Sequence, residues 1–208
     1  MMYDLNCMEK YLLNLIQSPF LYKLQQSISG ANDLKIEAIE SEVDIKKVKT
    51  VLDIGCGIGD TSLIFQNLNV NYLGIDLNKK RIDYAEKNYG NQQTIFKTLS
   101  VDQLDKNLSF DLVLCFGLVH HLKDQEIFQF LKKVKNSNFE FSQIIFLDPV
   151  RLKNQSILAT LLHKVDIGQN IKNKKEYENF FQEFTYNSEV IFSKKLKWAP
   201  TIKMVVRG

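Results

Sequence analysis

Cysteine is scarce in this sequence and neither sign of charge dominates it. Cys7, Cys56 and Cys115 lie far apart, with no CxxC pair and no histidine at zinc-finger spacing. A disulfide scaffold and a zinc module are thereby excluded, and a reducing, cytoplasmic setting is expected. Long apolar runs are lacking as well. The stretch Leu112 to Val119 has eight residues, against the roughly 18 to 20 that a membrane-spanning helix needs. The opening MMYDLNCMEK places Asp4 and Glu9 where a secretory leader has a basic flank and an apolar stretch, so no leader is expected. Lys plus Arg number 27 and Asp plus Glu 24, a formal charge of +3 with both signs mixed along the chain. That balance lacks the basic field that nucleic acid selects and counts against such a partner. No internal repeat and no low-complexity tract is visible.

There is enough apolar material for a core. The chain has 208 residues, 45% of them hydrophobic, and a chain of this size buries about 70% of the surface it exposes when unfolded. One domain spanning 1–208 is expected. From residue 50 onward, short β-rich runs alternate with helix-patterned segments, the order that produces βαβ units and a parallel sheet. The pattern predicts strands at Thr50 to Ile54, Asn71 to Ile75, Thr94 to Thr98, Asp111 to Phe116 and Gln143 to Leu147. Lys79 to Tyr89 reads as a helix with Ile82, Ala85 and Tyr89 on one face, stopped by Gly90. Asp124 is expected to cap a second helix, whose Ile127, Phe130, Leu131 and Val134 share a face. Residues 1–48 read as one or two helices around Ser18-Pro19. Residues 150–185 read as a helical insertion with Tyr177, Phe180, Phe181 and Phe184 at helical spacing. Glu189 to Ser193 and Thr201 to Arg207, joined by a loop with Trp198 and Pro200, are expected to close the sheet with an antiparallel edge. Both helical additions would then lie over the carboxyl ends of the strands, where open α/β sheets bind ligands.

The chemistry-bearing motif is Leu52-Asp53-Ile54-Gly55-Cys56-Gly57-Ile58-Gly59-Asp60, placed between a strand and a helix. Glycines there let the chain turn sharply and bring backbone amides against a ligand with no Cβ in the way. The spacing is GxGxG rather than the GxGxxG of nicotinamide dinucleotide sites, with Thr61 and Ser62 following. No GK[ST] follows, so a Walker loop is absent. Asp76 stands 21 residues beyond Gly55 at the end of the second strand, where a carboxylate can accept both hydroxyls of a ribose.

These residues resemble the class I S-adenosylmethionine-dependent methyltransferases. LDIGCGIGD is similar to their first motif and Asp76 in YLGIDL to their ribose-binding acid. FDLVLCFGLVHHL is similar to the fourth strand of the small-molecule branch with its His-His-Leu ending. The match covers about residues 50–150 and continues less specifically through LDPV at 147–150 and DIGQNI at 166–171. The resemblance implies a Rossmann-like, doubly wound α/β fold of about seven strands, the last antiparallel, with a small helical cap from 1–48 and 150–185 and closing strands in 186–208. It implies S-adenosylmethionine as cofactor and S-adenosylhomocysteine as product. By position, Asp53 would face the amino end of the cofactor's methionine, with Gly55, Cys56, Gly57 and Gly59 in the loop beneath it. Asp76 would hold the ribose, Leu77 would touch adenine, and Phe116 and Gly117 would flank the sulfonium. The acid that usually follows the third strand is replaced by Ser100 and Val101, with Asp102 next, so the adenine contact falls on Ser100 or Asp102. The usual Gly-Gly turn before the fifth strand is replaced by Asn136-Ser137-Asn138-Phe139; Asn tolerates the left-handed backbone such a turn requires.

His120 and His121 follow the fourth strand directly, at the rim where the sheet meets its ligand. Methyl transfer requires donor and acceptor to be aligned, and a hydroxyl acceptor must also lose a proton, a task that suits imidazole near neutral pH. The plainer role for the pair is capping or core packing. The resemblance favours His121 as the inward base. Asp148, after the fifth strand, would orient a histidine, bind an acceptor hydroxyl or cap the next segment. Cys56 is expected to pack rather than react, having no partner that would activate it. The Tyr177, Phe180, Phe181 and Phe184 face reads as core, and the lysines at 172, 174, 175, 194, 195 and 197 as a solvated face. No metal is implied, because no histidine and carboxylate cluster has ligand spacing. The expected function is methylation of a small-molecule acceptor, at oxygen, with His120, His121 and Asp148 removing the proton. Alternatives are an RNA or protein methyltransferase on the same scaffold, though no NPPY-like motif follows the fourth strand, a nicotinamide-dependent oxidoreductase, and a binding module without turnover.

Overall fold

The computed structural model describes residues 31–105, 107–136, 139–155, 170–192 and 200–207. Ser18-Pro19, the segment 156–169 with most of DIGQNI, Trp198 and the lysines at 194, 195 and 197 lie outside the described residues.

Seven strands form one sheet: β1 Thr50–Ile54, β2 Asn71–Asp76, β3 Thr94–Thr98, β4 Ser109–Phe116, β5 Glu140–Pro149, β6 Tyr186–Phe192 and β7 Pro200–Arg207. Their order is β3-β2-β1-β4-β5-β7-β6. The first five are parallel, and β7 runs antiparallel to both of its neighbours. The last two strands close the sheet and the last is antiparallel, as expected; β7 inserts between β5 and β6, and β6 forms the edge. Strand order reverses beside β1, where the chain leaves for β2 on one side and returns as β4 on the other. That reversal opens a crevice at the carboxyl ends of β1 and β4.

Four α-helices accompany the sheet among the described residues: α1 Ala31–Glu40, α2 Lys79–Tyr89, α3 Asp124–Lys135 and α4 Lys174–Phe180. Side chains alternate across each strand, so two cores form. Leu52, Ile54, Val113, Cys115, Ile144 and Phe146 meet Ile127, Leu131 and Val134 of α3 and Tyr177, Phe180 and Phe181 in and just after α4. Val51, Leu112, Leu114, Phe116, Ile145 and Leu147 meet Leu34, Ala38 and Ile39 of α1 and Ile82 and Ala85 of α2. The aromatic face is thus core: Tyr177 and Phe181 are fully buried, and the Tyr177 hydroxyl donates to the Pro149 carbonyl at 3.0 Å. Truncating a buried ring of this kind typically costs about 3–5 kcal/mol.

Local chemistry explains the helix ends. The Asn78 side chain caps α2, accepting from the amides of Lys80 and Arg81. Gly90 ends that helix in an extended rather than left-handed conformation, and a Cβ there would lie 2.5 Å from the Glu86 carbonyl oxygen. For α3 the cap position is Lys123, not Asp124. Glu126 reaches back to the Lys123 amide at 2.7 Å, while Asp124 takes Lys172 at 2.7 Å. A first-turn acid near the helix's positive end is stabilising without being the cap. Asn136, which ends α3, has φ −97 and so lies outside the left-handed region. The one non-glycine residue at positive φ among those described is Asn107, at 71°, just before β4.

Candidate active site

The loop after β1 is a cradle of backbone. Gly55, Gly57 and Gly59 have φ of 74, 56 and 80°, a region that L side chains rarely adopt. Close approach reinforces the requirement at Gly59, where a Cβ would fall 2.6 Å from the Phe96 ring, and at Gly55, where it would come 3.1 Å from Leu118. The latter contact places the loop directly against the turn after β4. The segment that follows is a 3-10 helix, Asp60–Phe65, rather than an α-helix.

Asp76 closes the cradle. Its carboxylate accepts from the Gly57 amide at 3.0 Å and from the Asn78 amide at 2.7 Å. A carboxylate has about four acceptor positions, so capacity for two hydroxyls remains. Beside it Leu77 is 74% exposed, an apolar side chain next to the Asp76 carboxylate. On the opposite lip Phe116 is buried and Gly117 is exposed with φ 64, its amide held by the Leu147 carbonyl at 2.7 Å. An adenosine with an amino-acid tail fits this donor and acceptor set.

The adenine side is less committed. Ser100 heads a short 3-10 helix, Val101–Gln103, and its amide and hydroxyl both donate to the Gln103 side chain. Val101 is buried. Asp102 turns to α3 and pairs with Lys133 at 2.9 Å, a contact that holds its carboxyl below the usual range. Of the two expected adenine partners, Asp102 is therefore engaged elsewhere.

Beneath the glycine loop lies a buried charge cluster that the sequence reading did not assemble. Asp53 is 2% exposed and accepts the hydroxyl of Tyr72 from β2. Tyr72 pairs with Val51 in the ladder and Gly74 with Asp53. The phenol extends along the sheet to the carboxylate two residues on, while the space above Gly74 is taken by the Phe96 ring and the Cys56 sulfur. Burial, the largest influence, raises the Asp53 carboxyl to about 7, against the pull of the Tyr72 hydrogen bond and of Lys35. Lys35, from α1, is itself buried and pairs with Asp60 at 3.2 Å. Burial likewise raises the Cys56 and Cys115 thiols, which fits packing rather than reactivity. The clue available in the sequence was a tyrosine between Asn71 and Leu73 in one strand and an acid amid the aliphatic residues of another.

On the other face of the sheet, Asp148 is 1% exposed and His120 5% exposed. One oxygen, Asp148 Oδ1, accepts from the His120 backbone amide at 3.1 Å and lies 2.7 Å from His120 Nδ1. Burial pushes the Asp148 carboxyl above its ordinary range while the contacts with His120 pull it back. Asp148 Oδ2 has no hydrogen-bond partner among the described residues. The inward histidine is thus His120; His121 is exposed and lies against the His120 ring with centroids 4.1 Å apart. The short turn Val119–His121 sets this order by burying the first imidazole and turning the next to the surface. The described part of the 150–185 insertion reaches the same place, since the Asn170 amide donates to the His120 carbonyl at 3.2 Å. Lys172 stands 5.6 Å over the Phe180 ring as well as on Asp124, so it clamps α4 against α3.

Residues 52–137 match a family model described as a methyltransferase domain. Among curated relatives, the juvenile hormone acid O-methyltransferase of Bombyx mori is 29% identical over 115 residues, 51% of this chain and 41% of that protein. The ubiquinone biosynthesis O-methyltransferase of Coxiella burnetii is 30% identical over 99 residues, 46% of this chain and 42% of that protein. The chain spans about two fifths of the length of these two relatives. Among solved structures, magnesium protoporphyrin IX methyltransferase from Synechocystis superposes with a TM-score of 0.66 at 16% identity, covering 96% of this chain and all of that one. Residues 52–137 thus resemble a methyltransferase domain, and the seven-stranded sheet with its antiparallel β7 has the Rossmann-like fold of the solved methyltransferase structures.

Proposed function

We propose that this protein transfers a methyl group from S-adenosylmethionine to an oxygen of a small-molecule acceptor and releases S-adenosylhomocysteine. The observation that carries the reading is the buried His120–Asp148 pair on the same strand-end rim as the glycine loop, with Leu118 touching Gly55 between them. The juvenile hormone acid and ubiquinone biosynthesis relatives are O-methyltransferases, which supports oxygen as the acceptor atom, and the Synechocystis neighbour was solved with S-adenosylhomocysteine bound.

The cofactor, when bound, supplies an electrophilic methyl group on a sulfonium. The residues of this chain do the rest. Asp76 accepts the ribose hydroxyls, Leu77 covers one face of adenine, and Gly55 to Gly59 let the backbone lie against the amino-acid tail. Gly117 leaves space at the lip where donor and acceptor must meet in line. Asp148 holds His120 through Nδ1, so Nε2 is the nitrogen that takes the acceptor's proton as the new carbon–oxygen bond forms. The base is His120, with His121 at the mouth. The chain is read as one domain acting in the cytoplasm.

Transfer of labelled methyl to a panel of phenols and carboxylic acids tests this. Turnover is expected with at least one member, with Asp148→Asn retaining S-adenosylhomocysteine binding while losing most of it. Asp76→Ala should weaken that binding about ten- to hundredfold, the value of hydrogen bonds to a charged acceptor. Wild-type affinity in Asp76→Ala would overturn the ribose assignment, and full turnover in Asp148→Asn the role of the pair.

A further inference from the structure

Asp53 is a carboxylate with an unusual set of neighbours. The phenol that donates to it is neutral, because burial and the neighbouring Asp53 push Tyr72 well above its ordinary range. The ammonium of Lys35, which favours the ionised form of Asp53, is shared with Asp60. From the other elements packed around it come Asp60 in the 3-10 helix, Asp76 at the end of β2, Cys56 in the glycine loop and Cys115 on β4. Two of these are acids, which oppose a further negative charge, and the two thiols stay protonated. Among the described residues, an ionised Asp53 therefore carries more negative charge into the site than the site itself balances. It lies under the glycine loop, whose backbone is bare of Cβ atoms at Gly55, Gly57 and Gly59.

We propose that Asp53 gives up a proton to solvent when the cofactor binds, so that the α-ammonium of the methionine tail is met by a carboxylate its own arrival ionises. This rests on the cofactor reading above. The balance is simple: a neutral Asp53 carboxyl and a cationic ligand become a carboxylate–ammonium pair, and one proton leaves to water. The sign follows from linkage. Below about 7 the free protein holds the proton and binding must displace it, so affinity falls as the pH falls; above that value no proton is released and affinity levels off. The site would thereby prefer ligands with the ammonium intact over nucleosides that lack the amino-acid tail.

Titration calorimetry of the full chain with S-adenosylhomocysteine, between about pH 5.5 and pH 8 in buffers of differing ionisation enthalpy, tests the proposal. The expected result is affinity rising by up to about tenfold per pH unit below neutrality, with a buffer-dependent heat that reports proton release. Methylthioadenosine, which lacks the tail, should show neither. Asp53→Asn should abolish the slope. Tyr72→Phe, which leaves the carboxyl in place but removes its donor, should move the midpoint upward. S-adenosylhomocysteine binding with flat affinity and buffer-independent heat would overturn the proposal and leave the cofactor reading standing. Absence of binding at every pH would overturn both.

Discussion

Two carboxylates, Asp53 on β1 and Asp148 on β5, lie buried near the carboxyl ends of parallel strands on opposite faces of one sheet, and burial raises both. Their partners differ. Asp148 meets an imidazole that can carry positive charge, whereas Asp53 meets a phenol that burial keeps neutral. A buried acid beside a titratable base can share a proton within the pair and serve to orient that base. A buried acid beside a neutral donor must exchange its proton with solvent or meet a cation from outside. In the proposed function a buried carboxylate near a strand's carboxyl end serves the acceptor side at Asp148 and the cofactor side at Asp53, and the partner residue decides which is which.

The largest effect is expected at the imidazole. His120→Ala should lower kcat by about a hundred- to ten-thousandfold with S-adenosylhomocysteine binding retained; His121→Ala, at the exposed ring, should cost far less, and equal losses would erase the distinction between the two. A smaller effect is expected in the free protein's stability. The folded carboxyl of Asp53 is raised from 3.8 to about 7, so between those values the folded state holds a proton that the unfolded state has lost. Stability is then greatest at low pH as far as this group is concerned, falls as the pH rises through that window and levels off above it. Thermal unfolding at a series of pH values should show the decline, and Asp53→Asn should flatten it. The smallest change is Tyr72→Phe, which removes one neutral donor; it should cost about 1 kcal/mol in denaturant unfolding and leave turnover at saturating cofactor near the wild-type value.

Much of the fold was legible because parallel strands and amphipathic helices announce themselves by period. Thr50–Ile54, Thr94–Thr98 and Lys79–Tyr89 fall where the sequence pattern puts them. Strand ends were less so: β4 and β5 extend beyond their apolar cores through Ser109 and Glu140, whose side chains face solvent and carry no hydrophobic signal. The insertion of β7 between β5 and β6 depends on long-range pairing that local pattern does not encode. In the site, the glycine loop and Asp76 were readable from spacing alone. The orientation of the histidines was not, since the two rings lie against each other and only the position of Asp148 determines which one is held. Lys35 and Tyr72 were missed for a related reason: each is ordinary in its own segment and gains meaning only when α1 and β2 bring it toward Asp53.

The most direct test of the central claim is calorimetric titration of the purified protein with S-adenosylhomocysteine at neutral pH, with NADH under the same conditions. The account predicts saturable binding of the first, strongly weakened in Asp76→Ala, and none of the second. Binding of NADH in place of S-adenosylhomocysteine, or of neither, would contradict it.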